Sequence, residues 1–246
     1  MKRLWATLGC DIRLQWRNGF YYAAAVMAAL SILLLGQLPE DDLPRLLPAV
    51  IVNNVMFNGF YFVGGLVLLE KGEGSLQAQV ITPLRPAEYL AAKILSLTLL
   101  SLIENGMIAL VLLGSDIAGA WLLIGILGGV CFYTLAGFMA VARYEAINEY
   151  LLPSMVIVTV LTLPLLPYFD VGDTPLTASL AYVHPLQSVL LALQAASGIT
   201  LARWQMAYVV FYSATFMVVS FILAQRTFER FVRQAPADSV GQRSIV

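Results

Sequence analysis

A small group of amide, hydroxyl and acidic residues is placed where it could bind a substrate or carry a proton. Asn54, Asn58 and Tyr61 follow one another at intervals of four and three residues, so a helix would carry them on one face. Glu104 and Asn105 lie near the middle of another apolar stretch, where an ionised carboxylate is costly unless it is hydrated, paired or protonated. The group predicts either the polar wall of a substrate path or hydrogen bonds between membrane helices, and the sequence leaves both open.

Catalytic chemistry has less support. His184 is the only histidine, so the sequence offers neither a histidine metal cluster nor a catalytic triad. An intramembrane serine protease would need a nucleophile within a span, but the segment LGSDIAG falls in a predicted loop. The sequence also lacks the G-x-x-x-x-G-K-[ST] phosphate loop of an ATPase. We therefore predict a chain that is not an enzyme and that binds no metal and no cofactor of its own.

The elements that must position these residues are membrane helices. Of the 246 residues, 60% are hydrophobic and 12% are charged, which is too apolar for a water-soluble fold. Runs such as AAAVMAALSILLLG lack the alternation of barrel strands. Six stretches reach or approach the roughly 20 residues that span a bilayer: 19–38, 46–69, 93–113, 119–141, 150–168 and 204–225. The sequence predicts an all-α polytopic membrane protein. Its six transmembrane helices form one domain that covers residues 19–225.

The basic residues predict the orientation of these spans. With both termini in the cytoplasm, all of the 14 lysines and arginines except Arg45 and Arg203 lie on the cytoplasmic side. We therefore expect a multi-pass protein of the cell membrane, surrounded by the lipid bilayer and without a nucleic-acid partner.

Three segments outside the spans have their own patterns. Residues 1–18 carry apolar side chains on one helical stripe, which predicts an amphipathic helix in the membrane interface. Residues 174–198 are apolar but interrupted at His184-Pro185, which predicts a re-entrant helix pair before the last span. Residues 226–246 predict a cytoplasmic tail. In span four, Gly125, Gly129 and Gly137 predict a helix-packing face.

The loop at 70–92 is a polar island between two apolar spans. Glycines predict a turn, Ser75 could cap a short helix, and Pro86 with Glu88 suits the first turn of a second helix. The loop segment EKGEGSLQAQVITPLRPAEYLAAKIL resembles the cytoplasmic loop of permease subunits in the ABC-2 family of ATP-driven transporters. The matching positions are Glu70, Gly74, Ser75, Leu76, Thr82, Pro83, Leu84, Glu88 and Lys93.

The resemblance extends to the layout of the helices. The segment YVHPLQSVLLALQA is similar to the N-P-[LF] element of that family, with His184 in place of the usual asparagine before Pro185. Within the family, the chain looks most like permeases of small bacterial drug exporters, including those for fluoroquinolones.

The resemblance implies a transport subunit without catalytic residues of its own. The loop would contain a coupling helix seated in a separate ABC-type ATPase, with Leu76 and Val80 among its contact residues. Two ATPases, which bind the ATP and magnesium, would act on this chain and a second permease chain, identical or not. Substrate would leave outward between the permeases.

Two other functions stay open. A proton-coupled secondary transporter would use Glu104 as its proton carrier. A non-transporting membrane scaffold would tolerate charge reversal in the 70–92 loop. The substrate is also open, because an apolar wall with a few amides suits drugs and lipids alike.

Overall fold

The computed structural model of the protein describes residues 2–75, 85–172 and 174–232. These residues form helices and turns, with no strand among them. The helices are α1 Lys2–Arg17, α2 Phe20–Leu35, α3 Leu43–Met56, α4 Phe62–Gly72, α5 Pro86–Leu113, α6 Gly119–Val141, α7 Ile147–Leu161, α8 Leu165–Tyr168, α9 Pro175–Ala181, α10 Pro185–Ala196 and α11 Arg203–Thr227. A π-helical turn, Phe57–Tyr61, joins α3 to α4 without a break.

The predicted fold class is confirmed, since the chain is an all-α polytopic membrane protein. Four helical segments are long and apolar enough to cross a membrane: Glu40–Gly72, Pro86–Asp116, Gly119–Val141 and Arg203–Arg230. Two bent helix pairs, α1 with α2 and α9 with α10, raise the number of candidate spans to as many as six. Helix α5 begins at Pro86, where the sequence predicts a helix start, and continues through Lys93 into the third predicted span.

Two of the six predicted spans are short helices. The stretch 19–38 contains α2, which has 16 residues. The stretch 150–168 contains most of α7, a helix of 15 residues that begins at Ile147, and the four-residue α8 beyond a turn at Pro164. At 1.5 Å per residue each of α2 and α7 extends less than 25 Å or so, against a hydrocarbon core of about 30 Å. The number of six spans stays a prediction.

Helix α6 is the centre of the bundle and packs against α3, α5, α10, α11 and the π-helical turn. The predicted glycine face makes this possible. A Cβ atom added at Gly129 would lie 2.8 Å from Val55, and one at Gly137 would lie 2.7 Å from the backbone oxygen of Phe60. Side chains at these two positions would force the helices apart, so the prediction of a packing face is confirmed.

Helix α1 turns away from α2 by 65° at Gly19, whose φ of +79° favours glycine. Trp5 and Trp16 are exposed on α1, as expected for a helix in the membrane interface. Another face of α1 buries Asp11 and Gln15, and α1 packs against α5, which the sequence did not predict.

Candidate functional site

The loop cluster consists of Asp11, Glu70, Tyr89 and Lys93, at the two ends of the 70–92 loop. The Nζ atom of Lys93 lies 2.5 Å from Oδ1 of Asp11 and also forms an ion pair with Glu70. All four side chains are at least 98% buried. Helix α1, which is far away in sequence, therefore meets α4 and α5 at one ammonium group.

Tyr89 completes the cluster from the first turns of α5. Its hydroxyl donates to Oε2 of Glu70 over 2.6 Å, and its ring centroid lies 5.0 Å from Nζ of Lys93. Ser96 lies about one turn beyond Lys93 on α5, and its Oγ accepts a hydrogen bond of 2.8 Å from Nε2 of Gln15. This contact adds a neutral hydrogen bond between α1 and α5. Residues four apart lie on one helix face, so α5 directs Tyr89 and Lys93 to the same place.

The charges of the loop cluster do not balance, because it contains two carboxylates and only one ammonium group. Burial raises the pKa of Asp11 from 3.8 to about 6, although the charge of Lys93 acts in the opposite direction. Oδ2 of Asp11 has no hydrogen-bond partner among the described residues. Removing one partner of such a buried pair leaves an uncompensated charge and typically costs about 3–5 kcal/mol. Loss of one charged member therefore weakens the junction of the three helices.

A second contact fixes the end of α4 to the end of α6. Nζ of Lys71 donates to the backbone oxygens of Ala142 and Tyr144 over 2.9 and 2.7 Å, and lies 3.2 Å from Oε1 of Glu145. A cation at this position satisfies carbonyl groups at and just beyond the C-terminus of α6. An exposed ion pair between Arg17 and Glu73, at 2.5 Å, adds a weaker contact between α1 and the loop.

The loop residues themselves are only partly described. Gly74 has a φ of +70°, so the predicted turn is present, and Oγ of Ser75 donates to the backbone oxygen of Glu70 over 3.3 Å. Oε2 of Glu88 accepts from the backbone nitrogen of Arg85 over 3.1 Å, as expected at a helix start. The other predicted coupling residues lie outside the described residues: Leu76, Val80, Thr82, Pro83 and Leu84.

The mid-span cluster consists of Ser31, Asn54, Asn58, Glu104 and Asn105, from α2, the α3 segment and α5. Nδ2 of Asn54 donates to Oγ of Ser31 and to Oδ1 of Asn105, both over 3.3 Å. Nδ2 of Asn58 donates to Oε2 of Glu104. Each member is more than 90% buried.

These contacts match the structural interpretation of the asparagines, since each amide bonds a neighbouring helix. The π-helical turn begins between Asn54 and Asn58, and both side chains reach α5. Tyr61 is half-buried and makes ring contacts with Phe57 and Phe60. Within the described residues, Glu104 forms no ion pair with a cation. A role for this cluster in a substrate path stays a prediction.

The break between α9 and α10 lies at His184-Pro185, as the sequence predicted, and the two helices meet at 90°. Nδ1 of His184 accepts from the backbone nitrogen of Leu186 over 3.2 Å, so the imidazole caps α10. The hydroxyl of Tyr208 donates to the backbone oxygen of Tyr182 over 2.6 Å, and that of Tyr212 donates to the oxygen of Val183. Helix α11 thus satisfies carbonyl groups that the break exposes.

Beside this break lies a cavity of about 470 Å³, the α9 pocket, between the α7–α8 turn and α9. Its walls are mostly apolar, from residues such as Leu163, Leu166 and Leu180, and His184 lines it as well. An ion pair between Arg45 and Asp170 attaches the loop after α8 to α3. At the end of α8, the hydroxyl of Tyr168 donates to the backbone oxygen of Arg45 over 2.6 Å.

Sequence reasoning missed the partners of the loop cluster. Glu70 and Lys93 were identified only as motif positions, and Asp11 and Tyr89 were not identified as functional. A usable signal was present, because Asp11 and Gln15 lie four residues apart on α1, as Tyr89 and Lys93 do on α5. Among the described residues, no group of three or more His, Cys, Asp or Glu side chains is placed to hold a metal ion.

Comparison with known proteins places the chain in a family. Residues 2–235 match the model of the fluoroquinolones export permease protein family. The fluoroquinolones export permease proteins of Mycobacterium tuberculosis strains CDC 1551 / Oshkosh and ATCC 25618 / H37Rv are each 32% identical to the chain over 236 residues, covering 95% of this chain and 98% of theirs. This agrees with the expected likeness to bacterial drug-exporter permeases of the ABC-2 type. The chain therefore belongs to the fluoroquinolones export permease protein family.

Proposed function

We propose that this chain is the transmembrane permease subunit of an ATP-driven exporter of amphipathic, drug-like compounds, with fluoroquinolones as the first class to test. The observation that carries the proposal is the family match over nearly the whole chain. ATP is bound and hydrolysed, with magnesium, by a separate ABC-type ATPase that contacts the 70–92 loop. The resemblance of this loop to ABC-2 coupling loops supports that part of the proposal.

The ends of the loop support it as well, because both are rigidly attached to the bundle. Glu70 lies where the apolar run of α4 ends, and Lys93 lies two turns into α5. The ion pair between them joins the two ends of the loop. Asp11 attaches α1 to the same point, while Lys71 attaches α6. A force applied to the loop would therefore move four helices together, whereas a loosely attached loop would absorb it.

The wider assembly contains a second permease chain and two ATPases. The exposed surface of helix α11 supports the proposal of a partner in the membrane. Only 11% of the apolar window of this span is buried, against 56–67% for the other three long segments. A second permease chain and the lipid bilayer share this exposed surface. Both termini face the cytoplasm and the protein lies in the cell membrane, in agreement with its basic residues.

Reconstitution tests the proposal directly. The permease is purified with its co-eluting ATPase and placed in liposomes, and fluoroquinolone movement is followed by the intrinsic fluorescence of the drug. ATP-dependent transport is expected from wild type, and Leu76→Asp or Val80→Asp is expected to abolish it while basal ATPase activity remains. Absence of a nucleotide hydrolase from the native complex would overturn the ATP-driven part.

Proton-coupled transport through Glu104 is the second candidate. The observation that favours it is the buried position of Glu104, which has Asn58 as its partner and no cation paired with it among the described residues. An uncoupler added at constant ATP separates the candidates, since it stops proton-driven transport and leaves ATP-driven transport intact. The Glu104→Gln variant should keep ATP-driven export if the first proposal holds.

A further inference from the structure

We propose that the α9 pocket is a substrate subsite, in which Nε2–H of His184 binds a carboxylate of an otherwise apolar, aromatic substrate. The inference rests on the proposed function and deepens it, because it assigns a binding site and a specificity residue to the exporter. Its parts are the size of the cavity, the chemistry of its walls and the orientation of one imidazole.

The cavity has the dimensions of a small-molecule site. Its volume of about 470 Å³ falls within the roughly 300–1,000 Å³ that is usual for ligand pockets. Leucine and proline side chains from α8 and the turn before it form one wall, and Leu180 and Ala181 of α9 form another. Such walls bind an apolar body and leave its orientation to the few polar groups present.

The hydrogen bonding of the break fixes the tautomer of His184. Nδ1 accepts from the backbone nitrogen of Leu186, so in the neutral ring the proton resides on Nε2. Nε2 has no hydrogen-bond partner among the described residues. The ring is held edge-on to Phe132, with centroids 6.0 Å apart. The cap and the contact with Phe132 thus hold in one orientation an imidazole that lines the pocket.

The other side-chain donor of the pocket is already engaged. The hydroxyl of Thr177 donates to the backbone oxygen of Gly172 over 2.9 Å and also contacts Thr174. The described wall therefore combines an apolar surface with one available side-chain donor, His184. A substrate that fits has an apolar, planar body and an acceptor at one edge, and a fluoroquinolone carries such a carboxylate on its fused rings.

The test uses a substitution that separates the capping role of His184 from its role in binding. In His184→Asn, the side-chain oxygen can still accept from the nitrogen of Leu186, because asparagine is a favoured helix cap. Its shorter side chain loses the donor at the Nε2 position. We expect an unchanged melting temperature and a Kd for ciprofloxacin that rises about tenfold, in line with the loss of a hydrogen bond to a charged group.

Binding is measured without ATP, with the full-length chain in lipid nanodiscs and the fluorescence of ciprofloxacin as the readout. Decarboxylated ciprofloxacin is the matched control, and His184→Asn should leave its Kd unchanged. Leu180→Trp, which fills the pocket from an exposed position of α9, should weaken the binding of both compounds. Wild-type ciprofloxacin affinity in His184→Asn, or an equal loss for both compounds, would overturn the proposal.

Failure of the subsite and failure of the proposed export function give different results. ATP-driven export with the same apparent KM in wild type and His184→Asn would reject the subsite and keep the exporter. Binding of ciprofloxacin that depends on His184, without ATP-driven export by the reconstituted complex, would keep the subsite and reject the exporter.

Discussion

The loop cluster and the mid-span cluster both join helices that are distant in sequence, yet they do so with different chemistry. Lys93 joins α1, α4 and α5 through two carboxylates, whereas Asn54 and Asn58 join α2 and α5 through amides. Buried charge is costly when one partner is lost, while membrane amide bonds are worth about 0.6 kcal/mol on average. The comparison indicates a stiff junction beside the loop and a softer one within the membrane.

Breaking the central ion pair should have the largest effect. Lys93→Met leaves Asp11 and Glu70 buried without their cation, and we expect a loss of about 3–5 kcal/mol in the free energy of unfolding. Equilibrium unfolding of the purified protein in mixed micelles measures it. The triple variant Lys93→Met, Asp11→Asn, Glu70→Gln should recover much of the loss, because no buried charge remains. A triple variant as unstable as the single one would contradict this account.

Lys71→Met should have the next largest effect. It removes a charged donor from the carbonyl groups of Ala142 and Tyr144, and hydrogen bonds to charged groups contribute about 1.5–3 kcal/mol. We expect a stability loss in this range and a lower ratio of drug transported to ATP hydrolysed, measured in liposomes. Full coupling in this variant would remove α6 from the proposed force path.

Within the mid-span cluster, Asn58→Leu should cost less, about 1–2 kcal/mol, because it leaves the buried carboxyl of Glu104 without the amide that donates to it. The same micelle unfolding assay checks it. Tyr61→Phe is the matched control, since Tyr61 contributes ring contacts and its hydroxyl is outside the described hydrogen bonds of the cluster. A loss as large as that of Lys93→Met would show that the two clusters are equally stiff.

The smallest effect is expected at the exposed pair of Arg17 and Glu73. Their side chains are 63% and 45% exposed, so solvent screens the attraction. Arg17→Gln should change the free energy of unfolding by less than about 0.5 kcal/mol and leave transport coupling unchanged. A coupling defect here would mean that the attachment of α1 depends on the surface pair and not on Asp11.

Much of the architecture was predictable from single residues and their spacing. The glycines of α6, the break at His184-Pro185 and the start of α5 at Pro86 with Glu88 all occur where local chemistry requires them. The partners of Lys93 were not predictable in the same way. Asp11 lies 82 positions away in sequence, and a helical stripe does not say which neighbour a polar face will meet.

The sequence by itself determined that the chain is a set of apolar helices around a polar loop, because lipid permits few other backbones and leaves the length of each apolar run visible. Only the tertiary structure decided which polar residues became buried partners. Asp11 joined Lys93, and Asn58 joined Glu104, because a charge or amide removed from water must find its partner on whichever helix packs beside it.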